Sequence, residues 1–308
     1  MVLFDQAHHN FMRSNRTARH LLDLLRNDGY RIRSRYDPLD TNALSNVDVL
    51  IIANPYAHSA DDWYHRGYEW WKWSAESAAP AIGDDEITAI VRFVRDGGSL
   101  LLAVGGAPWA GAASELATAL GIQFRNADTR APGQVPETEF ESRGVHFMRS
   151  DLREQMRQAN PDSAARSGVM PTSHPIVRGD GTDSERLWQV QSYLGQSIVG
   201  PAGSVSLLDL PDDAVDWFKE SPGAEWQTLP AAGRSQAVAF ELGKGRIVVV
   251  ADAAVFFARV WRARSIAAPM AMAWPEDLAA SVDPDYGATP MNRQFALNVM
   301  HWLSGAQR

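Results

Sequence analysis

Two short apolar runs on either side of an amphipathic helix constrain the fold more than any other feature of the chain. The runs read "VDVLIIANP" and "SLLLAVGG", and such continuous apolar segments are typical of parallel strands buried on both faces. Between them, "GDDEITAIVRFVRDGG" has acidic residues in its first turn, and Gly97 is placed to end it. One face of this predicted helix is apolar and consists of Ile87, Ile90, Val91 and Val94.

The same alternation of strand and helix continues through most of the chain. "SNRTARHLLDLLRNDG" predicts a helix, "YRIRSRY" a strand, and "NRQFALNVMHWLSG" a closing amphipathic helix. This rhythm predicts an α/β fold with an open, mainly parallel sheet and helices on both faces. The strands expected at its centre are Val2–Phe4, Leu50–Asn54, Leu100–Val104 and Arg246–Ala251.

The middle of the chain, residues 122–242, has a different character. It is rich in proline, glycine and polar residues, and short β-like runs such as "QSIVG", "SVSLLDL" and "SQAVAFEL" replace the alternation with helices. We therefore expect a β-rich extension of the sheet, with antiparallel or mixed strands. With 308 residues, 45% of them hydrophobic, and no repeat or low-complexity linker, the chain predicts a single domain over residues 1–308.

Composition excludes several kinds of chemistry and partner. The chain has no cysteine, which rules out disulfides, thiolate metal sites and a cysteine nucleophile. A net charge of -8 without a long basic run argues against nucleic acid as a partner. No apolar run approaches the roughly 20 residues of a membrane span, so we expect a soluble protein. No signal peptide is visible; removal of one before residue 1 would make the protein periplasmic, and otherwise we expect it to be cytoplasmic.

Six segments, taken in order, carry a resemblance to a known family. They are "VLFDQAHHN", "VDVLIIANP", "FVRDGGSLLLAVGG", "SHPIVRG", "GKGRIVVVADAAVF" and "NRQFALNVMHWLSG". Together they resemble an uncharacterised bacterial branch of the class I glutamine amidotransferase-like domains, relatives of the trehalose-utilisation-type proteins and of the GIFT domain of intraflagellar transport. The resemblance spans nearly the whole chain. It implies a flavodoxin-like sheet, in agreement with the strand and helix pattern.

The resemblance does not extend to amidotransferase chemistry. In that family a cysteine nucleophile lies on the sharp turn after a central strand. The corresponding turn here is "LLAVGGAPWAG", in which Val104, Gly105 and Gly106 occupy the elbow. Because no Cys, Ser or Thr is present there for a base to activate, glutamine hydrolysis by that route is excluded. The glycines still permit a ligand to approach the backbone closely.

Polar residues follow the predicted strands at their carboxyl ends, where open α/β sheets bind ligands. We interpret Asp5, His8, His9 and Asp252 as candidate catalytic residues, with a histidine–carboxylate pair for proton transfer. Asp5 is expected to orient His8 or His9 and to raise its pKa. The candidate ligand-binding residues here are Asn10, Asn54, His58, Gly105, Gly106 and Trp109. The alternative is structural: these side chains cap helices, bond loop amides or fill space. Their spacing matches no metal motif, and no cofactor is predicted.

A tryptophan-rich insertion, residues 56–83, follows one of these strands. It contains Trp63, Trp70, Trp71 and Trp73 and exceeds the 2–6 residues that such a connection needs. We interpret it as a lid whose aromatic faces, chiefly Trp63, Trp70 and Trp71, stack on a sugar ring. A self-packed cluster or a dimer contact is the alternative.

A second long loop, residues 258–290, follows the last central strand and is expected to close over the same opening. Its Arg259, Arg262 and Arg264 are suited to an acidic sugar or another carboxylate, or else form a solvated, salt-bridged loop. We assign Arg259 to the ligand-binding set. His174, in "SHPIVRG", is expected to begin a β-like segment and is not assigned as a base.

These observations leave three hypotheses for the function. The first is a protein that binds or processes a carbohydrate or another polyhydroxylated or acidic small molecule; as an enzyme it would be a hydrolase or lyase. The second is a non-catalytic protein-interaction module in which the aromatic loop forms an interface. The third is a metal-dependent hydrolase that uses His8, His9 and Asp252. The expected partner is a small-molecule or glycan ligand, and a homo-oligomer is compatible with each hypothesis.

Overall fold

The computed structural model describes residues 1–58, 72–131, 145–159, 161–193, 195–256 and 291–306. Within them the chain forms fifteen strands and eight α-helices. The strands are β1 (Val2–Asp5), β2 (Ile32–Arg35), β3 (Val49–Ala53), β4 (Ser99–Ala103), β5 (Gln123–Phe124), β6 (Asp128–Arg130), β7 (His146–Arg149), β8 (Gly168–Met170), β9 (Gln189–Gln191), β10 (Ile198–Val199), β11 (Val205–Asp209), β12 (Val215–Phe218), β13 (Gln227–Pro230), β14 (Ser235–Leu242) and β15 (Gly245–Val250). The helices are α1 (Arg19–Asn27), α2 (Asp84–Arg95), α3 (Trp109–Ala112), α4 (Ser114–Ala119), α5 (Ser150–Ala159), α6 (Pro161–Arg166), α7 (Pro175–Arg178) and α8 (Asn292–Ser304).

Five parallel strands, in the order β2-β1-β3-β4-β15, form one half of the main sheet. This is the 2-1-3-4-5 order of flavodoxin-like folds. The four strands predicted for the centre are present, each to within one residue at either end. The predicted class, an α/β fold with an open, mainly parallel sheet, is therefore confirmed.

The other half of the sheet is the β-rich extension expected from the middle of the chain. Strand β14 pairs antiparallel with β15, and the order continues β11-β8-β7-β9. The pairs in this half are antiparallel except for β7 with β8. A separate antiparallel sheet, β13-β12-β6, was not predicted from the sequence.

Helices cover both faces of the parallel strands β1, β3, β4 and β15, because residues that alternate along each of these strands are apolar on both sides. On one face Phe4 packs in a cluster with Leu22 of α1 and Phe295 of α8. On the other face Leu3 packs with Ile90 of α2 and with residues of α4. Polar side chains of these buried strands therefore lie where the strands end.

Helices α5, α6 and α7 lie within residues 122–242, where the sequence suggested only β-like runs. That expectation was incomplete, and the reason is physical. Helix α5 contains no fully buried residue, and its apolar stripe consists only of Leu152, Met156 and Ala159 among polar residues, which is a weak helical period. His174 likewise does not begin a β-like segment. It is the N-cap of α7, its Nδ1 accepts from Ile176 N at 3.2 Å, and Pro175 takes the first helical position, which suits proline.

Within the described part of the chain, no helix has both the length and the apolar character that a membrane crossing requires.

The closing helix depends on Phe295, which is completely buried and stacks on Phe256 with ring centroids 6.0 Å apart. Replacement of Phe295 with alanine is expected to lower the free energy of unfolding by about 3–5 kcal/mol, because it leaves a cavity between α8 and the sheet. Chemical denaturation measures this change. Leu229→Ala, at a side chain 43% exposed, is the control and should change stability by less than about 0.5 kcal/mol. Equal effects of the two substitutions would contradict the placement of α8.

Candidate functional site

The carboxyl ends of β1, β3, β4 and β15 lie at one edge of the sheet, and hydrogen bonds join the segments that follow them. Asn54 Oδ1 accepts from Gly105 N at 2.7 Å, and the buried Gln196 donates from Nε2 to Gly105 O at 3.2 Å. Gln196 N donates to Ala251 O at 2.9 Å, just beyond β15. The parallel topology thus brings together segments that are far apart in the sequence.

His8 lies between two carboxylates at this edge. Its Nδ1 is 2.9 Å from Asp5 Oδ2, and its Nε2 is 3.1 Å and 3.2 Å from the two oxygens of Glu86. Asp5 is fully buried and His8 is 6% exposed. The hydrogen bond between Asp5 and His8 is the one expected from the sequence, whereas the contact with Glu86, at the start of α2, was not foreseen.

This arrangement fixes the charge of the imidazole. Burial alone lowers the pKa of His8, but the hydrogen bonds and negative charges of Asp5 and Glu86 outweigh it and raise the pKa to about 9. Burial likewise opposes ionisation of Glu86, yet the bond from Leu39 N and the charge of His8 give a net lowering of its pKa. At neutral pH the group is therefore an imidazolium held by two carboxylates.

Asp5 and Asn10 form hydrogen bonds that hold the loop after β1 in its conformation. Asp5 Oδ1 accepts from Ala7 N at 3.0 Å, and Asn10 Nδ2 donates to Asp5 Oδ2 at 3.0 Å. The same amide donates to Ala53 O at 3.2 Å, which links the loop after β1 to the end of β3. In this loop His9 has φ 44° and an exposed side chain, so it lies outside the cluster around His8.

The elbow after β4 is tightly packed at Gly106. A Cβ placed on this residue would lie 2.5 Å from Ala127 O and 2.6 Å from Asp128 Oδ1. Asp128 in turn forms an ion pair with Lys72, and both side chains are buried. The place where an amidotransferase carries its nucleophile is here occupied by a glycine against a paired carboxylate.

Trp109 begins α3 directly after the elbow. Its ring centroid lies 5.2 Å from that of Phe11 and 6.5 Å from that of Tyr56, and we call these three residues the Trp109 platform. The residue is half-buried. Its Nε1 is buried and has no acceptor among the described residues.

Asp252 lies at the far end of the edge, after β15. Its carboxylate accepts from Ala254 N at 2.9 Å and from Tyr193 N at 2.5 Å. These bonds fit the structural alternative, in which the carboxylate holds backbone amides. Gln236 of β14 lies beside it, and neither atom of its buried amide has a partner within the described residues. Gly195 separates the two side chains, since a Cβ there would meet both.

The remaining candidates divide into those the structure describes and those it does not. His58 Nε2 is 3.2 Å from Glu76 O. Trp73 is buried against Trp226, with ring centroids 5.4 Å apart, as expected for a self-packed cluster. Outside the described residues lie Trp63, Trp70, Trp71, Arg259, Arg262 and Arg264. The lid roles of 56–83 and 258–290, and the single-domain assignment, therefore stay predictions.

Sequence reasoning missed Glu86, Lys72, Asp128, Gln196 and Gln236 as members of this edge. Glu86 had a local signal, because it stands three residues after Gly83 and caps α2 with a bond from Gly83 N at 3.3 Å. Its contact with His8, 78 positions away, has no such signal. No group of three or more potential metal-ligating side chains with suitable geometry occurs in the described ranges.

The cluster around His8 predicts a pH-dependent stability. The folded-state pKa is raised from 6.5 to about 9, so the stabilisation is complete below pH 6.5 and is lost as the pH rises through 9. The loss is expected to be about 3 kcal/mol in the free energy of unfolding, because one pKa unit corresponds to about 1.4 kcal/mol. Urea unfolding between pH 6 and pH 10 measures it, and His8→Gln should remove it.

His174→Asn is the matched control, since burial lowers the pKa of His174 to about 4 and asparagine retains an N-cap oxygen. A depressed histidine pKa gives stability that is present above pH 6.5 and lost as the pH falls towards 4. His174→Asn should therefore change the free energy of unfolding below pH 6.5 and leave its decrease at alkaline pH unchanged. If the decrease at alkaline pH persists in His8→Gln, the assignment of this pH dependence to His8 is contradicted.

Gly106→Ala tests the packing of the elbow. We expect a loss of about 1–3 kcal/mol in unfolding free energy, because backbone at Ala127 must move to admit the methyl group. Gly83→Ala is the control, since its Cβ would meet only Glu86 Oε2 at 3.7 Å. Thermal and urea unfolding report both changes, and a neutral Gly106→Ala would show that the turn is looser than described.

Comparison with solved structures agrees with this fold. The mmIFT52 N-terminal domain matches with a TM-score of 0.57 and 14% identity, over 99% of this chain and 97% of that one. Cytoplasmic protein STM1381 from Salmonella typhimurium LT2 has a TM-score of 0.49 and 14% identity, with 98% of both chains covered. A protein described as ThuA-like from Bacteroides uniformis ATCC 8492 has a TM-score of 0.47 and 10% identity, over 98% of this chain and 90% of that one. The first match confirms the resemblance at the level of the fold.

A search of curated proteins finds no match to the chain. The profile of the family described as Domain of unknown function (DUF4350) matches residues 77–257. This segment includes α2, the elbow and β15, whereas β1 and β3, which form the rest of the edge, precede it. Because it covers more than half of the sequence, the chain belongs to the DUF4350 family.

Proposed function

We propose that this protein binds a carbohydrate or another polyhydroxylated small molecule at the carboxyl edge of its parallel strands. One observation carries the proposal. Trp109 is half-buried immediately after the elbow, and its indole N–H has no acceptor among the described residues. A buried donor without an acceptor is rare, and a ligand hydroxyl would supply one.

The Trp109 platform suits the apolar face of a sugar ring. Aromatic rings offer a large apolar surface, and tryptophan adds one polar N–H at its edge. Phe11 is also half-buried and lies against Trp109 with the two rings tilted by 48°, so it borders the indole with a second apolar ring. Asn54 and the glycines of the elbow keep the neighbouring backbone close to this surface.

Gln236, farther along the same edge, supports a ligand rich in hydroxyl groups. Its amide has a donor and an acceptor, and both lack partners within the described part of the chain. A hydroxyl group donates one hydrogen bond and accepts others, so two neighbouring sugar hydroxyls match both atoms of an amide.

The geometry supports binding more strongly than acid–base catalysis. His8 carries a pKa of about 9 and has a carboxylate at each ring nitrogen, so at neutral pH it already holds the proton that a general base must accept. Asp252 accepts bonds from two backbone amides. The catalytic roles of Asp5, His8, His9 and Asp252 stay predictions.

Two other hypotheses make different predictions for the same protein. A metal-dependent hydrolase would lose activity on treatment with a chelator and regain it with added metal. A protein-interaction module would bind a protein partner and no sugar. Among the described residues, no observation supports either hypothesis as the unpartnered N–H of Trp109 supports ligand binding.

Calorimetric titration with a panel of neutral mono-, di- and oligosaccharides tests the proposal. Trp109→Ala should abolish binding, because it removes both the stacking face and the N–H donor. Trp109→Phe should weaken it by about tenfold, because it removes only the donor. Trp188→Phe is the matched control, since this half-buried indole lies against Arg149 on the β-rich extension. Sugar binding that survives Trp109→Ala would refute the proposed site.

The elbow also predicts the absence of glutaminase activity. The chain contains no cysteine, and the turn after β4 has glycine where the nucleophile is required. Incubation with glutamine should release ammonia no faster than a heat-inactivated sample does. Ammonia release at an ordinary enzymatic rate would show that a different nucleophile performs this reaction.

A further inference from the structure

Three tryptophans pack together beside the small sheet β6-β12-β13, and one of them, Trp217, belongs to its strand β12. Trp217 of β12 lies near Trp226, with ring centroids 6.0 Å apart and the rings tilted by 64°. Trp73 meets the same Trp226 edge-on, at 5.4 Å and 85°. Together with Arg130 of β6, whose strand neighbour is Val215 of β12, we call these residues the tryptophan face.

Cations surround this face. The guanidinium of Arg130 lies 4.8 Å from the centroid of Trp217 and 6.0 Å from that of Trp226. Lys219 Nζ is 4.8 Å from the Trp226 centroid. Positively charged groups therefore already lie against these rings. We expect the tryptophan face to repel a cationic ligand and to attract an anionic one.

Three buried N–H donors of the tryptophan face have no acceptor among the described residues. They are Trp73 Nε1, Trp217 Nε1 and Arg130 Nε. Trp73 is only 4% exposed, so burial withdraws its N–H from solvent. Buried polar atoms are almost always hydrogen-bonded in folded proteins, and three unpartnered donors on adjoining side chains indicate an acceptor that comes from outside the described chain.

The neighbouring carboxylates are already bonded to other groups. Asp128 forms a buried ion pair with Lys72. Asp216 alternates with Trp217 along β12 and therefore points to the opposite side of the small sheet. There it accepts bonds from Arg125, Thr129 and Ser197. Both acids thus have cationic or hydroxyl partners.

We propose that the tryptophan face binds the oxyanion group of an acidic sugar, such as the carboxylate of a uronic acid. The three donors supply hydrogen bonds to the oxyanion, and Arg130 and Lys219 supply positive charge. This inference uses none of the residues of the Trp109 platform. It does not depend on the function proposed for that site.

Calorimetric titration of the full chain carrying Trp109→Ala with glucuronate, glucose and sulfate tests this site, because that substitution removes sugar binding at the Trp109 platform. Glucuronate should bind saturably and at least about tenfold more tightly than glucose, because hydrogen bonds to a charged group are the stronger ones. Trp217→Phe and Trp73→Phe each remove one donor and keep an aromatic ring, and each should weaken glucuronate binding by about tenfold. Trp188→Phe is the matched control, because this half-buried indole lies against Arg149 outside the tryptophan face, and it should leave glucuronate binding unchanged.

Two further variants separate the possible causes. Arg130→Lys keeps the positive charge but removes the Nε donor and its planar geometry, so it should also weaken binding. Because every titration uses the Trp109→Ala background, failure at this site is separated from failure at the Trp109 platform. Melting temperatures of all variants check folding; if Trp217→Phe fails to fold, Trp73→Phe and Arg130→Lys decide the outcome.

The inference is overturned by any of three results. Glucose that binds as tightly as glucuronate would show that the oxyanion is irrelevant. Sulfate that binds where glucuronate does not would remove the sugar from the assignment. A loss of binding in Trp188→Phe equal to that in Trp217→Phe would show that the unpartnered donors of the tryptophan face do not account for the affinity.

Discussion

The burial of the four parallel strands β1, β3, β4 and β15 on both faces is the constraint on which the rest of this structure depends. Helices α1 and α8 cover one side and α2 and α4 the other. Polar side chains within those strands would lose water without gaining partners. They are therefore found where the strands end, and because the strands run parallel, these ends coincide at one edge. The polar residues that follow the apolar start of β1, "VLF", therefore lie at this edge.

The cluster of Asp5, His8 and Glu86 shows how such an edge is stabilised. A buried carboxylate is tolerated only when it is paired and hydrogen-bonded, and Asp5 has three donors around it, from Ala7, His8 and Asn10. The same contacts hold His8 in its protonated form. The charge pattern that looked like acid–base machinery in the sequence thus also serves to fasten the loop after β1 to helix α2.

The elbow after β4 is tightly packed and has glycine at positions 105 and 106. Gly106 allows the turn to lie against Asp128, and no side chain fits between them. Among the described residues, Trp109 and Gln236 have buried side-chain polar atoms without partners, and the proposed ligand site rests on them. The tryptophan face is a second group of unpartnered donors, built on a sheet that the parallel strands do not include.

The sequence by itself determined the parallel half of the sheet and the helices on its two faces, because the spacing of apolar residues is a local property. It also determined the exclusion of cysteine chemistry, because composition does not depend on the fold. It also placed Asp5, His8, Asn54, Gly105 and Asp252 at strand ends. It did not indicate helix α5, in which no residue is fully buried, or the small antiparallel sheet. Only the tertiary structure decided that Glu86 is the second partner of His8, that Lys72 pairs with Asp128, and that Trp73 packs on Trp226. Contacts between residues so distant along the chain leave no periodic signal, since they arise only when separate elements pack together.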